Sequence, residues 1–134
     1  MIEREILVID DDPIILMIHQ VVLEFALPAV TCQYFSEAQK ALFYMKERIG
    51  MGKEFLLFLD INMPVLNGWD LLDEIKNSDF KENVYVVMVT SSVNEGDKIK
   101  AGSYSNIHSF ISKPLKEEYI EKLREIEKIK AFLI

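Results

Sequence analysis

Three consecutive carboxylates, Asp10, Asp11 and Asp12, follow the apolar run EILVI at residues 5–9. A fourth, Asp60, follows a second apolar run, FLLFL at residues 55–59. Strand interiors disfavour such charges, and adjacent carboxylates repel. Helix capping accounts for Asp12, which stands directly before Pro13. It does not account for Asp10, Asp11 or Asp60. If the two runs are neighbouring strands, their terminal acids crowd together. Two carboxylates about 5 Å apart repel by roughly 3 kcal/mol at an effective dielectric near 20. Uncompensated, at least one pKa must rise. A hard divalent cation removes the conflict, and an open site with few carboxylates suits Mg²⁺ better than Ca²⁺. The sequence has neither EF-hand spacing nor a Cys/His cluster suited to zinc.

The elements that must position these acids are legible as alternating patterns. Strands are expected at Glu5–Ile9, Val30–Phe35, Phe55–Leu59, Val84–Val89 and Ser109–Ile111. FLLFL and YVVMV are apolar throughout, as central strands covered on both faces are. The second run is more polar and the fifth is short, which suits edges. Helices are expected over Pro13–Phe25, over Ser36–Ile49 with Ser36 and Gln39 in capping-box spacing and a stop at Gly50, over Trp69–Asn77, over Asn94–Ala101, and from Lys116 onward. Gly96 and Gly102 make the fourth intrinsically poor. The last carries Tyr119, Ile120, Leu123, Ile126 and Ile129 as its apolar face.

Five strands separated by helices predict an α/β fold, a parallel sheet wound on both faces by right-handed crossovers. Sites in such sheets lie beyond the carboxyl ends of the strands. There the chain places Asp10–Asp11–Asp12, Asp60–Ile61–Asn62, Thr90–Ser91–Ser92 and Ser112–Lys113–Pro114. Acids, a hydroxyl and a lysine converge on one rim.

Composition bounds the rest. A chain of 134 residues is one ordinary domain, residues 1–134, with 50% hydrophobic and 28% charged residues. A net charge of −7 argues against direct nucleic-acid binding through a basic face. No signal peptide and no apolar stretch of about 18 residues is present, so a cytoplasmic protein without a membrane span is expected. The single Cys32 fits a reducing compartment and reads as core filler. His19 and His108 read as ordinary helix and loop residues, and Gly68 after Asn67 as a turn.

At this point the pieces ILVIDDDP, LFLDINMPVLNGWDLL, VVMVTSS and FISKPL resemble, in order and spacing, the receiver domain of two-component response regulators. The resemblance covers nearly the whole chain. It implies a doubly wound, flavodoxin-like three-layer sandwich with strand order 2-1-3-4-5. It further implies Mg²⁺-dependent phosphorylation of Asp60 by a phosphohistidine donor, a histidine kinase or histidine phosphotransfer protein. Asp11 and Asp60 would ligate the metal directly, Asp10 largely through water, and the Asn62 carbonyl would complete the set. Lys113, in a cis Lys-Pro pair, would supply fixed positive charge. Thr90 would donate its hydroxyl to the phosphoryl group, with Asn62 and Ser92 flanking the site.

Signal output would pass through Thr90 and Phe110 to the face formed by the fourth helix, the fifth strand and the last helix, and from there to a downstream protein target. Where Phe110 stands, tyrosine is common, so an output needing that hydroxyl is not served. The chain is expected to be a stand-alone receiver that catalyses only its own phosphorylation and dephosphorylation. Phe132, Leu133 and Ile134 are expected to pack on the domain, a homodimer surface being the alternative. A haloacid-dehalogenase-type phosphatase would need an acid two residues after the nucleophile, where Asn62 stands. A phosphorylation-independent scaffold on the same fold would have no need of the charge cluster.

Overall fold

In the computed structural model, which describes residues 2–48, 50–91 and 94–134, strand and helix alternate along the chain. The order is β1 (Glu3–Ile9), α1 (Pro13–Ala26), β2 (Cys32–Phe35), α2 (Ala38–Glu47), β3 (Lys53–Leu59), α3 (Gly68–Lys76), β4 (Val84–Thr90), α4 (Glu95–Ala101), β5 (Ile107–Ser112) and α5 (Glu117–Leu123). The strands form one parallel sheet in the order β2-β1-β3-β4-β5. The expected doubly wound α/β architecture is therefore present, with β2 and β5 at the edges, although β5 is longer than the expected Ser109–Ile111, with six residues against four in β2. Register pairs Ile9 with both Phe35 and Leu59, which brings the carboxyl ends of the three strands level.

Period-two alternation divides the core between the two faces. Leu7, Ile9, Leu57, Leu59, Val86 and Met88 point to the side covered by α2 and α3, where they meet Ala41, Met45, Leu71, Leu72 and Ile75. Ile6, Val8, Leu56, Phe58, Val87 and Val89 point to the other side, against Leu23 of α1 and Ile120 and Leu123 of α5. Each such side chain, fully buried, contributes roughly 1.5–3 kcal/mol. Continuous burial on both faces explains why these runs read as unbroken apolar segments.

Several boundaries differ from those the sequence suggests. Ser36 and Gln39 form no capping box. Helix α2 starts at Ala38, with Glu37 extended at the cap position and no side-chain cap bond, so the Ser36 hydroxyl lies one residue too early. That helix ends at Glu47, not at Gly50, and the expected last residue, Ile49, lies outside the described residues. Gly50 and Gly52 adopt φ of 84° and 70° in the turn leading to β3, backbone that glycine tolerates.

The largest departure is at the C-terminal end. Helix α5 stops at Leu123 instead of running on. The Arg124 side chain donates from Nε to the Leu133 carbonyl at 2.8 Å and from Nη2 to the Ala26 carbonyl at 3.4 Å, folding the following segment back. A short 3-10 turn at Lys130–Phe132 then packs on β1. Ile129, Phe132 and Leu133 are buried in the α1/α5-side core, as expected of the last two, whereas Ile134 stays exposed. Apart from Ile134, the apolar residues are buried or half-buried as predicted, but a folded-back segment achieves this rather than a continuous helix.

Candidate metal and phosphoacceptor site

The carboxyl rim of the sheet gathers the acids that the sequence places far apart. Asp10 and Asp60 each stand one residue beyond a strand, at the central β1–β3 pair. Ladder bonds continue past both strand ends, Asp10 N–H to the Phe35 carbonyl at 3.1 Å and Asp60 N–H to the Ile9 carbonyl at 3.0 Å. These fix both backbones before any ion is considered. Asp10 and Asp60 are buried, at 1% and 2% exposure, while Asp11 faces solvent. One carboxylate oxygen from each of the three lies within 4.8 Å of the others.

Two neighbours hold the arrangement. Asp12 caps α1 as expected, accepting from the Ile14 amide at 2.9 Å, and its own N–H donates to Asp10 Oδ1 at 2.9 Å. Lys113 Nζ donates to Asp10 Oδ2 at 2.9 Å and to Asp60 Oδ2 at 3.3 Å. Burial opposes the Lys113 charge, yet its bonds to Asp10 and Asp60 outweigh that and raise its pKa. The Lys113-Pro114 peptide is cis. One lysine does not neutralise the acids around it. Burial first, then the charge of Asp10, push the Asp60 pKa above the usual carboxylate value despite Lys113. Asp60 Oδ1 is buried with no hydrogen-bond partner among the described residues. A buried acceptor left bare is costly.

This charge imbalance has a pH signature. The folded Asp60 binds its proton more tightly than the unfolded chain, so folding favours the protonated form. In metal-free buffer the parent should lose stability relative to Asp60→Asn as pH rises from 3.8 toward the raised folded value, then run parallel to it. Denaturant midpoints for both proteins across that range check this; a constant offset down to pH 3 contradicts it.

Of the remaining predicted residues, Thr90 and Asn62 lie on the same rim, in different states. Thr90 ends β4, fully buried, and its carbonyl accepts from the Lys113 N–H at 3.0 Å. Asn62, two residues past Asp60, is exposed. Phe110 lies in β5 opposite Met88, half-buried against the α2/α3-side core. Ser92 lies outside the described residues. Cys32 is half-buried, and burial first of all pushes its thiol up to about 11, in keeping with an inert side chain.

Two residues near the site escaped sequence reading. Gly68 is not merely a turn residue: it opens α3 behind the Asn67 cap, and its N–H donates to the Ile61 carbonyl at 2.8 Å. A Cβ there would collide with the Asp60 carbonyl oxygen and stand 2.9 Å from the Ile61 Cα. Absence of a side chain therefore lets α3 close on the backbone that carries Asp60. His19 is buried at 2% exposure, and its Nε2 accepts from the Leu115 N–H at 3.1 Å. Its signal in the sequence was faint: a lone histidine among apolar residues of a helix.

Comparison with known proteins agrees with this geometry. The family model for the response regulator receiver domain matches residues 6–125. A probable methanogenesis regulatory protein, FilR2 of Methanothrix harundinacea, is 30% identical over 103 residues, covering 75% of this chain and 64% of that protein. A hybrid signal transduction histidine kinase of Dictyostelium discoideum is 24% identical over 123 residues, 87% of this chain but only 10% of its own length. The chain thus spans under two thirds of these relatives. Among solved structures, a two-component response regulator from Cytophaga hutchinsonii superposes with a TM-score of 0.82 at 26% identity, covering 93% of this chain and 96% of that one. A two-component response regulator from Legionella pneumophila gives 0.78 at 25% identity, covering 92% and 97%.

Proposed function

The chain belongs to the response regulator receiver domain family, and from that premise we propose that it is a phosphoacceptor whose nucleophile is Asp60. The observation that carries this reading is the placement of Asp60: buried, beside Asp10 and Asp11, bridged through Oδ2 to Lys113, and with Oδ1 unpartnered among the described residues. Such an oxygen is suited to a cation or an electrophilic phosphorus.

In the proposed step an Asp60 oxygen attacks the phosphorus of a phosphohistidine. The O–P bond forms, the P–N bond breaks, and its electron pair stays with the departing imidazole, which takes up a proton. The three carboxylates and the unpartnered Oδ1 fit a hard divalent cation, so Asp11 and Asp60, with Asp10 and the Asn62 carbonyl, would hold Mg²⁺. When bound, Mg²⁺ screens the charge of nucleophile and phosphoryl group. Lys113 contributes a fixed positive charge that passes from Asp60 to a phosphoryl oxygen. The Thr90 hydroxyl donates a hydrogen bond to the phosphoryl group on Asp60, and Phe110 moves with it, altering the α4–β5–α5 face that a downstream protein reads. The test is incubation with acetyl phosphate and Mg²⁺ followed by intact mass measurement. One added phosphoryl group, labile to alkali as an acyl phosphate is, supports the reading; an unchanged mass contradicts it.

The donor's docking surface follows from α1. Its outer face carries Ile14, Met17, Ile18, Val21 and Phe25, with exposures of 65, 63, 38, 63 and 74%. This i, i+3, i+4, i+7 stripe begins two residues beyond Asp12 and runs away from the acids. Helix α1 already buries His19 and Leu23 on its inner face, so this second, outward apolar stripe is left uncovered. It suits the apolar flank of a helical phosphohistidine protein whose histidine must reach Asp60. Replacing Met17 and Val21 together by glutamate should slow transfer from such a donor roughly tenfold or more, because two charges would be desolvated at the contact. Uptake from acetyl phosphate should stay unchanged. Equal loss with both donors, or none with the protein donor, contradicts this assignment.

A further inference from the structure

Lys113 reaches its two carboxylates from a short loop, and the loop is tied down on both sides. Toward the sheet, the Lys113 N–H donates to the Thr90 carbonyl at 3.0 Å. Toward α1, the Leu115 N–H donates to His19 Nε2 at 3.1 Å. Only Pro114 separates the two tethered amides. Leu115 is itself buried at 1% exposure, so its N–H has no recourse to water. On α1, His19 occupies the side opposite the exposed apolar stripe, 96 residues from its partner in the chain.

The bond defines the state of the imidazole. An Nε2 that accepts an amide hydrogen bond carries no proton, so His19 is neutral, with its proton on Nδ1. Burial lowers the His19 pKa, which keeps that state; the Asp10 charge acts in the opposite sense and the Lys113 charge in the same one. Nδ1 is buried without a partner among the described residues. A buried imidazole with one ring nitrogen unpartnered and the other on a loop amide is not explained by packing, because an aliphatic side chain fills such space without either polar atom.

We propose that His19 is a positioning residue for phosphoryl acceptance: its neutral Nε2 holds the Leu115 amide and thereby sets the backbone from which Lys113 bridges Asp10 and Asp60. The role rests on the reading of Asp60 as the acceptor. It acts through Lys113: among the described residues the hydrogen bond given for His19 is the one to the Leu115 amide, not one to Asp10, Asp11 or Asp60. Without it the loop keeps its tether to Thr90 but pivots about it, and the ammonium no longer lies between the two carboxylates.

Three variants separate an acceptor from a space-filling group. In His19→Gln the amide oxygen reaches the position of Nε2, in His19→Asn it falls short, and in His19→Met the volume is filled without an acceptor. Uptake from acetyl phosphate at saturating Mg²⁺ and hydrogen exchange of the Leu115 amide are measured on each full-length protein, with thermal melts to compare stability. His19→Met and His19→Asn should slow uptake roughly tenfold to a hundredfold, the cost of a charge displaced by about an ångström. Both should lose Leu115 protection, and His19→Gln should restore protection and rate together. Uptake in His19→Met equal to the parent's overturns this role while leaving Asp60 as acceptor. So does a slow His19→Gln that retains Leu115 protection. A parent that takes up no phosphoryl group overturns the acceptor reading and this role with it, and the Leu115 exchange then reports only on the loop.

Discussion

Asp60→Asn is expected to fold, to be more stable than the parent in metal-free buffer at neutral pH, and to take up no phosphoryl group from acetyl phosphate or a protein donor. The stability gain follows from the balance around the carboxylate. Burial and Asp10 together disfavour the Asp60 charge more strongly than Lys113 favours it. Removing that charge at constant shape relieves the repulsion and should raise the melting temperature. The functional loss is complete because an amide oxygen is a poor nucleophile and forms no acyl phosphate. Opposite signs for stability and chemistry distinguish a functional carboxylate from a structural one. An Asn variant that is markedly destabilised, or still phosphorylated at one residue, contradicts the assignment.

Lys113→Ala carries the second large effect. Its ammonium bridges Asp10 and Asp60 at 2.9 and 3.3 Å, mostly shielded from water, so its loss leaves two buried acids facing each other. Phosphoryl uptake should fall about a hundredfold or more, the usual scale for deleting one preorganised charge at a reacting centre. Affinity for Mg²⁺ should rise at the same time, because a competing cation has left the carboxylates. Calorimetric titration and uptake kinetics on one preparation check both. Parallel weakening of metal binding and rate points instead to a collapsed site.

What was legible in the sequence, and what was not, has a physical pattern. The parallel sheet and the gathering of its strand ends on one rim were readable because both-face burial leaves unbroken apolar runs. The order 2-1-3-4-5, which makes β1 and β3 neighbours and brings Asp10 and Asp11 to Asp60, was instead implied by the resemblance to receiver domains. Asp12 as a cap was readable because capping is local. The features missed depend on contacts distant in the chain. Nothing around Gly68 announces that its missing Cβ makes room for the Asp60 carbonyl. Nothing in the first helix pairs His19 with Leu115. The last helix misled because Ile126 and Ile129 keep helical spacing, whereas Arg124, by binding the Leu133 and Ala26 carbonyls, folds the segment back and buries Ile129 by another path. Ser36 had the spacing of a capping box, but helix α2 begins one position too late to use it.

Titration of the metal-free protein with Mg²⁺, followed by calorimetry and repeated on Asp10→Asn and Asp60→Asn, addresses the central claim most directly. One Mg²⁺ should bind the parent with millimolar or tighter affinity, and each substitution should weaken that binding by roughly tenfold or more through loss of a carboxylate. A folded parent that gives no heat and no shift in melting temperature at tens of millimolar Mg²⁺, where a site of that affinity is filled, would show that these acids meet for some reason other than holding a cation beside Asp60.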